Sequence, residues 1–153
     1  MITLEQIEAE HSRISEMIAA FRAQPMPTEH IVTGVKIPLA PGERYAGLVL
    51  GEDGKQDYHL ILLPGVADGV NWKAACEWAA ERDACLPTRR EQSLLFANLK
   101  GEFESAWYWS GEQHEANSGW AWYRHFCYGY QYCSTQTNEF RARAVRRFIP
   151  SVI

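Results

Sequence analysis

Apolar residues first recur along the chain at helical spacing. Leu4, Ile7, His11, Ile14, Ile18 and Phe21 step by three and four, an a/d heptad seam with one polar member, His11. Thr3 followed by Gln6 is a capping-box pair, in which each residue satisfies an N–H left free at a helix start. These signals predict a helix over residues 3–23. Two readings of it stay open: a stripe lying on its own domain, or a self-associating helix. In the second, His11 makes assembly sensitive to pH, because a buried imidazolium is costly. Pro25 and Pro27 end the helix and make a stiff connector after it.

The period then changes. Ile31 to Ile37, Tyr45 to Gly51 and Tyr58 to Leu63 read as strands, the last two joined through Asp53-Gly54, a hairpin turn signal. Leu60 to Leu63 is continuously apolar, as for a strand covered on both faces. Asn71 caps a helix over about 72–83, and the Thr88/Glu91 capping box opens another running to about Asn98. Trp107 to Ser110, Gly119 to Cys127 and Phe140 to Phe148 read as strands again, separated by Gly-containing loops. The predicted class is α+β. The expected organisation is an amphipathic helix at 1–24, a connector with a strand at 25–44, and one domain at 45–153.

Composition adds little until the aromatics are placed. Hydrophobic residues make up 46% and charged residues 22%, ordinary for a folded domain. Six Trp, seven Tyr and six Phe fall mostly after residue 96. No stretch approaches the roughly 18 apolar residues of a membrane span, and Met1 to Glu10 lacks the pattern of a signal peptide. The expected location is the cytoplasm of a host cell or a particle assembled there, with Cys76, Cys85, Cys127 and Cys133 as reduced thiols, mostly core. A net charge of −4 argues against nucleic acid as the partner. Arg141, Arg143, Arg146 and Arg147 at the end of the chain admit a phosphate or acidic-protein contact. They equally admit ion pairing with the acidic first half, which is favoured, notably if the last strand pairs with residues 45–51.

Leu86-Pro87-Thr88-Arg89-Arg90-Glu91 after an Ala-rich helix, Tyr108-Trp109-Ser110, Ala121-Trp122 with Phe126, and Arg143-Ala144-Val145-Arg146 form a series. Over about residues 45–149 it resembles the DUF1566 group of phage and bacterial domains. That group is similar to the formylglycine-generating-enzyme branch of the C-type-lectin-like fold. The resemblance implies paired terminal strands, two helices beneath them, and a long irregular aromatic region above. It also places Trp109, Trp122 and Phe126 in the core. The Glu-Pro-Asn, Gln-Pro-Asp and Trp-Asn-Asp motifs of calcium-dependent lectins are absent, and calcium needs about six to eight oxygen ligands from such groups. Nor does the motif surrounding the copper-binding cysteines of the enzymes occur around Cys127 and Cys133.

Searching for chemistry yields little. His114-Glu115 lacks the second histidine of a zinc motif, position 118 being serine. His125 and Cys127 are spaced as a nucleophile–base pair on a strand, yet no third group can be placed. No catalytic, metal or cofactor set is assigned. The Tyr128-Gly129-Tyr130-Gln131-Tyr132 loop, followed by Ser, Thr and Asn, has the composition of a paratope. The candidate ligand-binding residues are therefore Trp120, Tyr123, His125, Tyr128, Tyr130, Gln131, Tyr132 and Asn138. The candidate oligomerisation residues are the six of the heptad seam. The expected function is a phage or prophage binding module, not an enzyme, that takes a protein or glycan through the 120–138 surface. The alternatives are a small intracellular phage inhibitor of a host defence complex and an oxidoreductase-like relative using Cys127 and Cys133.

Overall fold

A computed structural model describes residues 2–25, 28–32 and 34–151. Pro27 of the expected connector and Thr33 of the first expected strand lie outside them. In chain order the elements are α1 (Leu4–Arg22), β1 (Glu29–Val32), β2 (Val35–Pro38), β3 (Arg44–Val49), β4 (Tyr58–Leu62) and β5 (Ala67–Val70). Next come α2 (Trp72–Ala80), α3 (Arg89–Asn98), β6 (Trp107–Gln113), β7 (Trp120–His125), β8 (Gln131–Thr135), β9 (Phe140–Ala142) and β10 (Val145–Phe148). The class is α+β, and no helix is long and apolar enough to cross a membrane among the described residues.

All three α-helices begin where side-chain caps predict. Thr3 with Gln6 and Thr88 with Glu91 form complete capping boxes, and the Asn71 side chain accepts from the Ala74 N–H. Every residue of α1 is exposed, so the helix does not lay its stripe on its own domain. Leu4, Ile7, Ile14, Ile18 and Phe21 of the seam, with Met17 beside it, stay in solvent. Each such side chain is worth about 1.5–3 kcal/mol when fully buried.

The stretch Ile31 to Ile37 is two strands, not one. Gly34, at φ +83°, reverses the chain between β1 and β2. Ile37 of this hairpin and Leu39 just after it are buried against Ile61 of β4, so Val32, Val35, Ile37 and Leu39 share a core with the three-stranded sheet beside it. That sheet has the order β10-β4-β3, all antiparallel. The last strand thus pairs with Tyr58–Leu62 and not with residues 45–51. β4 is covered on both sides, as its unbroken apolar run predicts: Ile61 faces the hairpin, and Leu60 and Leu62 face the helices.

Phe140 to Phe148 is also two strands. The chain turns at Arg143-Ala144, so β9 joins one sheet and β10 the other. The second sheet runs β5-β9-β6-β7-β8, with β6 and β9 parallel. Two clusters join the layers. Leu95, Tyr108, Phe126 and Val145 pack beneath α3, and Ala75, Ala79, Trp109, Ala121 and Ala142 pack beneath α2.

Carboxylates sealed inside this frame account for two of the terminal arginines. Glu91 is fully buried and accepts from Arg147 Nε and Nη2 (2.6 and 3.0 Å), Tyr58 Oη (2.7 Å) and Thr88 N–H (2.8 Å). Burial alone would raise its carboxyl. The hydrogen bonds from Arg147, Tyr58 and Thr88 outweigh that and hold it below the usual range. Burial, with the Glu91 hydrogen bond, pushes the Tyr58 phenol up to about 12. Glu43 takes Arg146 Nε and Nη2 (2.8 and 2.7 Å) and is likewise lowered, chiefly by that pairing. Arg141 pairs with Asp68 and Glu104, and Arg143 donates to the Leu63 and Glu102 carbonyls. All four arginines are therefore engaged inside the domain.

Both carboxylates titrate below their unfolded value, so their stabilisation is present at neutral pH and lost as pH falls through the folded value. Stability is expected to be flat near neutrality and to drop below about pH 4. In Glu91→Gln that drop shallows, which acid titration of the circular dichroism signal checks.

Candidate ligand-binding face

The surface that the sequence marks as loop is a strand edge. β8 pairs with β7 in the register Trp122↔Cys133, Tyr123↔Tyr132 and Arg124↔Gln131. Alternation along each strand then sorts the candidates onto two faces.

On one face Tyr123 and His125 of β7 stand beside Trp107 and Trp109 of β6 and Tyr132 of β8. Trp107 lies opposite His125, with ring centroids 6.1 Å apart, and meets Phe140 edge-on at 5.1 Å. The His125 ring stacks on Tyr128 (5.2 Å) and on Tyr130 (5.4 Å). Toward α2 this face is closed by the buried Trp109. Toward the turn between β7 and β8 it opens: Tyr128 is 78% exposed, Tyr132 62%, Tyr130 46% and Trp107 43%. Tyr123 sits at the boundary, and its partial burial raises its phenol. Beside Trp107 the aromatic floor runs into a cleft of about 310 Å³ edged by Asp68, Ser105, Glu139 and Arg141.

The other face belongs to α3. Arg124 is buried with one Nη1 hydrogen bond to the Gln92 carbonyl (3.2 Å), its guanidinium carbon 5.2 Å from the centre of the Phe96 ring. Gln131 donates to the Arg89 carbonyl (2.6 Å). Trp122 is half-buried, not core, between the Arg89 guanidinium (3.7 Å) and the stacked His114 ring (5.4 Å). Trp120 shares its parity.

The structure therefore brings together Tyr123, His125, Tyr128, Tyr130 and Tyr132. It places Trp120 and Gln131 on the opposite face. Asn138 lies in the turn beyond β8, its side chain donating to Ser134 Oγ. Trp107 and Phe140 join the face without being candidates from the sequence. Their membership comes from register, and the one signal available is that Trp107 begins a strand whose next odd position, Trp109, is apolar.

The His125–Cys127 pair does not form. β7 ends at His125, and its Nδ1 accepts from the Cys127 backbone N–H (3.1 Å). His114 Nδ1 similarly accepts from the Ala116 N–H (3.2 Å). All four cysteines are free and half-buried, and no group of three or more His, Cys, Asp or Glu is placed to hold a metal among the described residues. Burial raises the Cys76 and Cys85 thiols.

Outer-edge hydrogen bonding completes the site. His125 N–H donates to the Tyr130 carbonyl and Gln136 N–H to the Gly119 carbonyl, which fixes Tyr130, Tyr132, Ser134 and Gln136 as the residues bonded to β7. The N–H and C=O of Gln131 and Cys133 point the other way. Among the described residues they meet no hydrogen-bonding partner.

Gly129 holds the turn in place. Its φ is +79°, and a Cβ there would come within 2.8 Å of the Phe96 ring. Gly129→Ala is expected to cost about 1–3 kcal/mol, as strain of this kind does, and to displace Tyr128 and Tyr130. Thermal melts and the tyrosine NMR shifts check it.

Arg124 gives the opposite expectation. Among the described residues its Nε has no hydrogen-bond partner and no carboxylate offsets its burial, so Arg124→Met keeps the stem and removes a poorly paired buried charge. The melting temperature is expected to hold or rise.

No known family matches the chain, and no curated protein matches it.

Proposed function

We propose that this chain is a binding module whose partner is a polypeptide, docked as an extended segment along β8 with its side chains over the tyrosine face. The single observation that carries this reading is the coincidence of an unpaired strand edge with an exposed aromatic surface. Outward N–H and C=O groups at Gln131 and Cys133 offer alternate hydrogen bonds that another strand complements residue for residue. Tyr128, Tyr130 and Tyr132 offer rigid contact area with little entropy to lose.

The C-type-lectin-like arrangement belongs to the same proposal. It is supported by the last strand, β10, returning to the sheet of β3 and β4, by two successive helices, and by a second sheet that carries the exposed surface. It departs from that arrangement in that β10 lies beside β4 and not beside β3.

The test is selection of a random-peptide library against the protein, with a glycan array probed in parallel. Peptides with alternating apolar residues are expected. Their affinity should fall about thirtyfold or more for Y128S/Y130S/Y132S, the roughly 2 kcal/mol that defines a hot spot. Glycan binding that needs the same tyrosines, with no peptide selected, would replace the polypeptide by a sugar. Peptide binding indifferent to the tyrosines would remove the site.

A further inference from the structure

We propose that α1 is an assembly helix whose occupant is the same helix of a second copy of this chain, packed parallel and in register. The observation is a 19-residue capped helix with no buried residue, whose large apolar members keep to one line with Met17 beside it. That line is spaced three and four, a mean of 3.5. A stripe of this period stays facing another helix as both supercoil, and does not drift as it would across a globular surface.

The flanks of the line fit a copy of themselves. With Leu4, His11 and Ile18 at a and Ile7, Ile14 and Phe21 at d, the g positions are Glu10 and Met17. The e positions are Glu8, Ser15 and Arg22. In a parallel pair each g side chain meets the next e side chain of the other copy. Glu10 then meets Ser15, and Met17 lays its chain along the Arg22 stem, so no like charges oppose. The outward positions include Ala9, Ala19 and Ala20, strong helix formers that leave the back of the helix free. Over its first three turns Ile2, Ile7, His11 and Ile14 edge a shallow, open apolar depression, against which a side chain of the facing helix packs.

His11 sets the register. Parallel and aligned, the imidazoles of the copies share one layer and satisfy each other. An antiparallel pair sets each His11 against Ile14 of the other copy, and a shift of one heptad sets it against Leu4 or Ile18. Both strand a polar group in an apolar layer, the device by which one polar a residue specifies a coiled coil. The assembly carries several copies of the β8 face on one stem, so weak sites act together. The inference does not depend on what those sites bind.

The test is light scattering on the full chain across a concentration series. A multiple of the 17.5 kDa chain mass is expected, falling to the single-chain mass in I14E/I18E and unchanged in A9E on the back of the helix. Because α1 contributes nothing to the core, I14E/I18E should keep the near-ultraviolet signal of the domain, which separates loss of assembly from loss of folding. Under mild oxidation L4C, which keeps His11, should cross-link to itself, giving a species absent from the wild type treated alike. A wild type at single-chain mass throughout the series overturns the proposal, as does an assembly indifferent to I14E/I18E. An α1-dependent assembly in which L4C fails to cross-link overturns the parallel register.

Discussion

Glu91→Ala is expected to lose about 3–5 kcal/mol of folding stability, the cost of breaking a buried ion pair from one side. The Glu91 side chain ties three elements together. Glu91 closes the cap of α3, takes both donors of Arg147 from β10, and receives the Tyr58 hydroxyl from β4. Its removal leaves a guanidinium facing Tyr58 and Cys85 with no counter-charge. Urea unfolding measures the loss. Arg147→Met should lose a comparable amount, whereas Glu91→Leu with Arg147→Met should recover much of it, since the pair is worth little against well-packed apolar groups. If the double variant merely adds the losses of Glu91→Leu and Arg147→Met measured singly, Glu91 and Arg147 are not acting as a pair.

Phe126→Ala is expected to cost a similar amount, about 3–5 kcal/mol, through the cavity it leaves. Phe126 is 2% exposed and stacks on Phe103 with ring centroids 3.8 Å apart and planes nearly parallel. Tyr108 and Phe96 close around it at 5.2 and 5.9 Å. It comes directly after β7, and its N–H donates to the Ala106 carbonyl, so it anchors the start of the turn that presents Tyr128 and Tyr130. The loss should therefore reach the binding face: Phe126→Leu, which fills most of the volume, should keep peptide binding that Phe126→Ala weakens. Denaturant midpoints and peptide affinities for the two variants check this.

What is legible in the sequence is local. Thr3, Asn71 and Thr88 start their helices because a side-chain oxygen three residues upstream of an N–H needs only local geometry. The apolar run at Leu60 to Leu63 marks a strand covered on both faces for the same reason that any such run does. Sequence and structure part where pairing overrides composition. Tyr128 to Asn138 has loop composition, and Gln131–Thr135 is a strand because β7 lies beside it in register. Ile31 to Ile37 and Phe140 to Phe148 each look continuous, yet Gly34 reverses one, and the other crosses between sheets at Arg143-Ala144. For the site, the tyrosines and His125 can be named from residue type alone. Trp107 and Phe140 cannot, because only the β6–β7 and β6–β9 registers bring them there. Trp120 and Gln131 fall on the face opposite the tyrosines: alternation along the strand separates Trp120 from Tyr123, but which of the two faces is open depends on where α3 packs.

The most direct test of the β8 edge as a docking strand is residue-resolved amide hydrogen exchange, with and without a peptide selected on the protein. Free, the Gln131 and Cys133 amides should exchange quickly, and those of Tyr130 and Tyr132, bonded to β7, slowly. With peptide bound, Gln131 and Cys133 should become protected while β5 and the β3–β4 hairpin stay as they were. Protection that falls elsewhere, with Gln131 and Cys133 unchanged under saturating peptide, would contradict it.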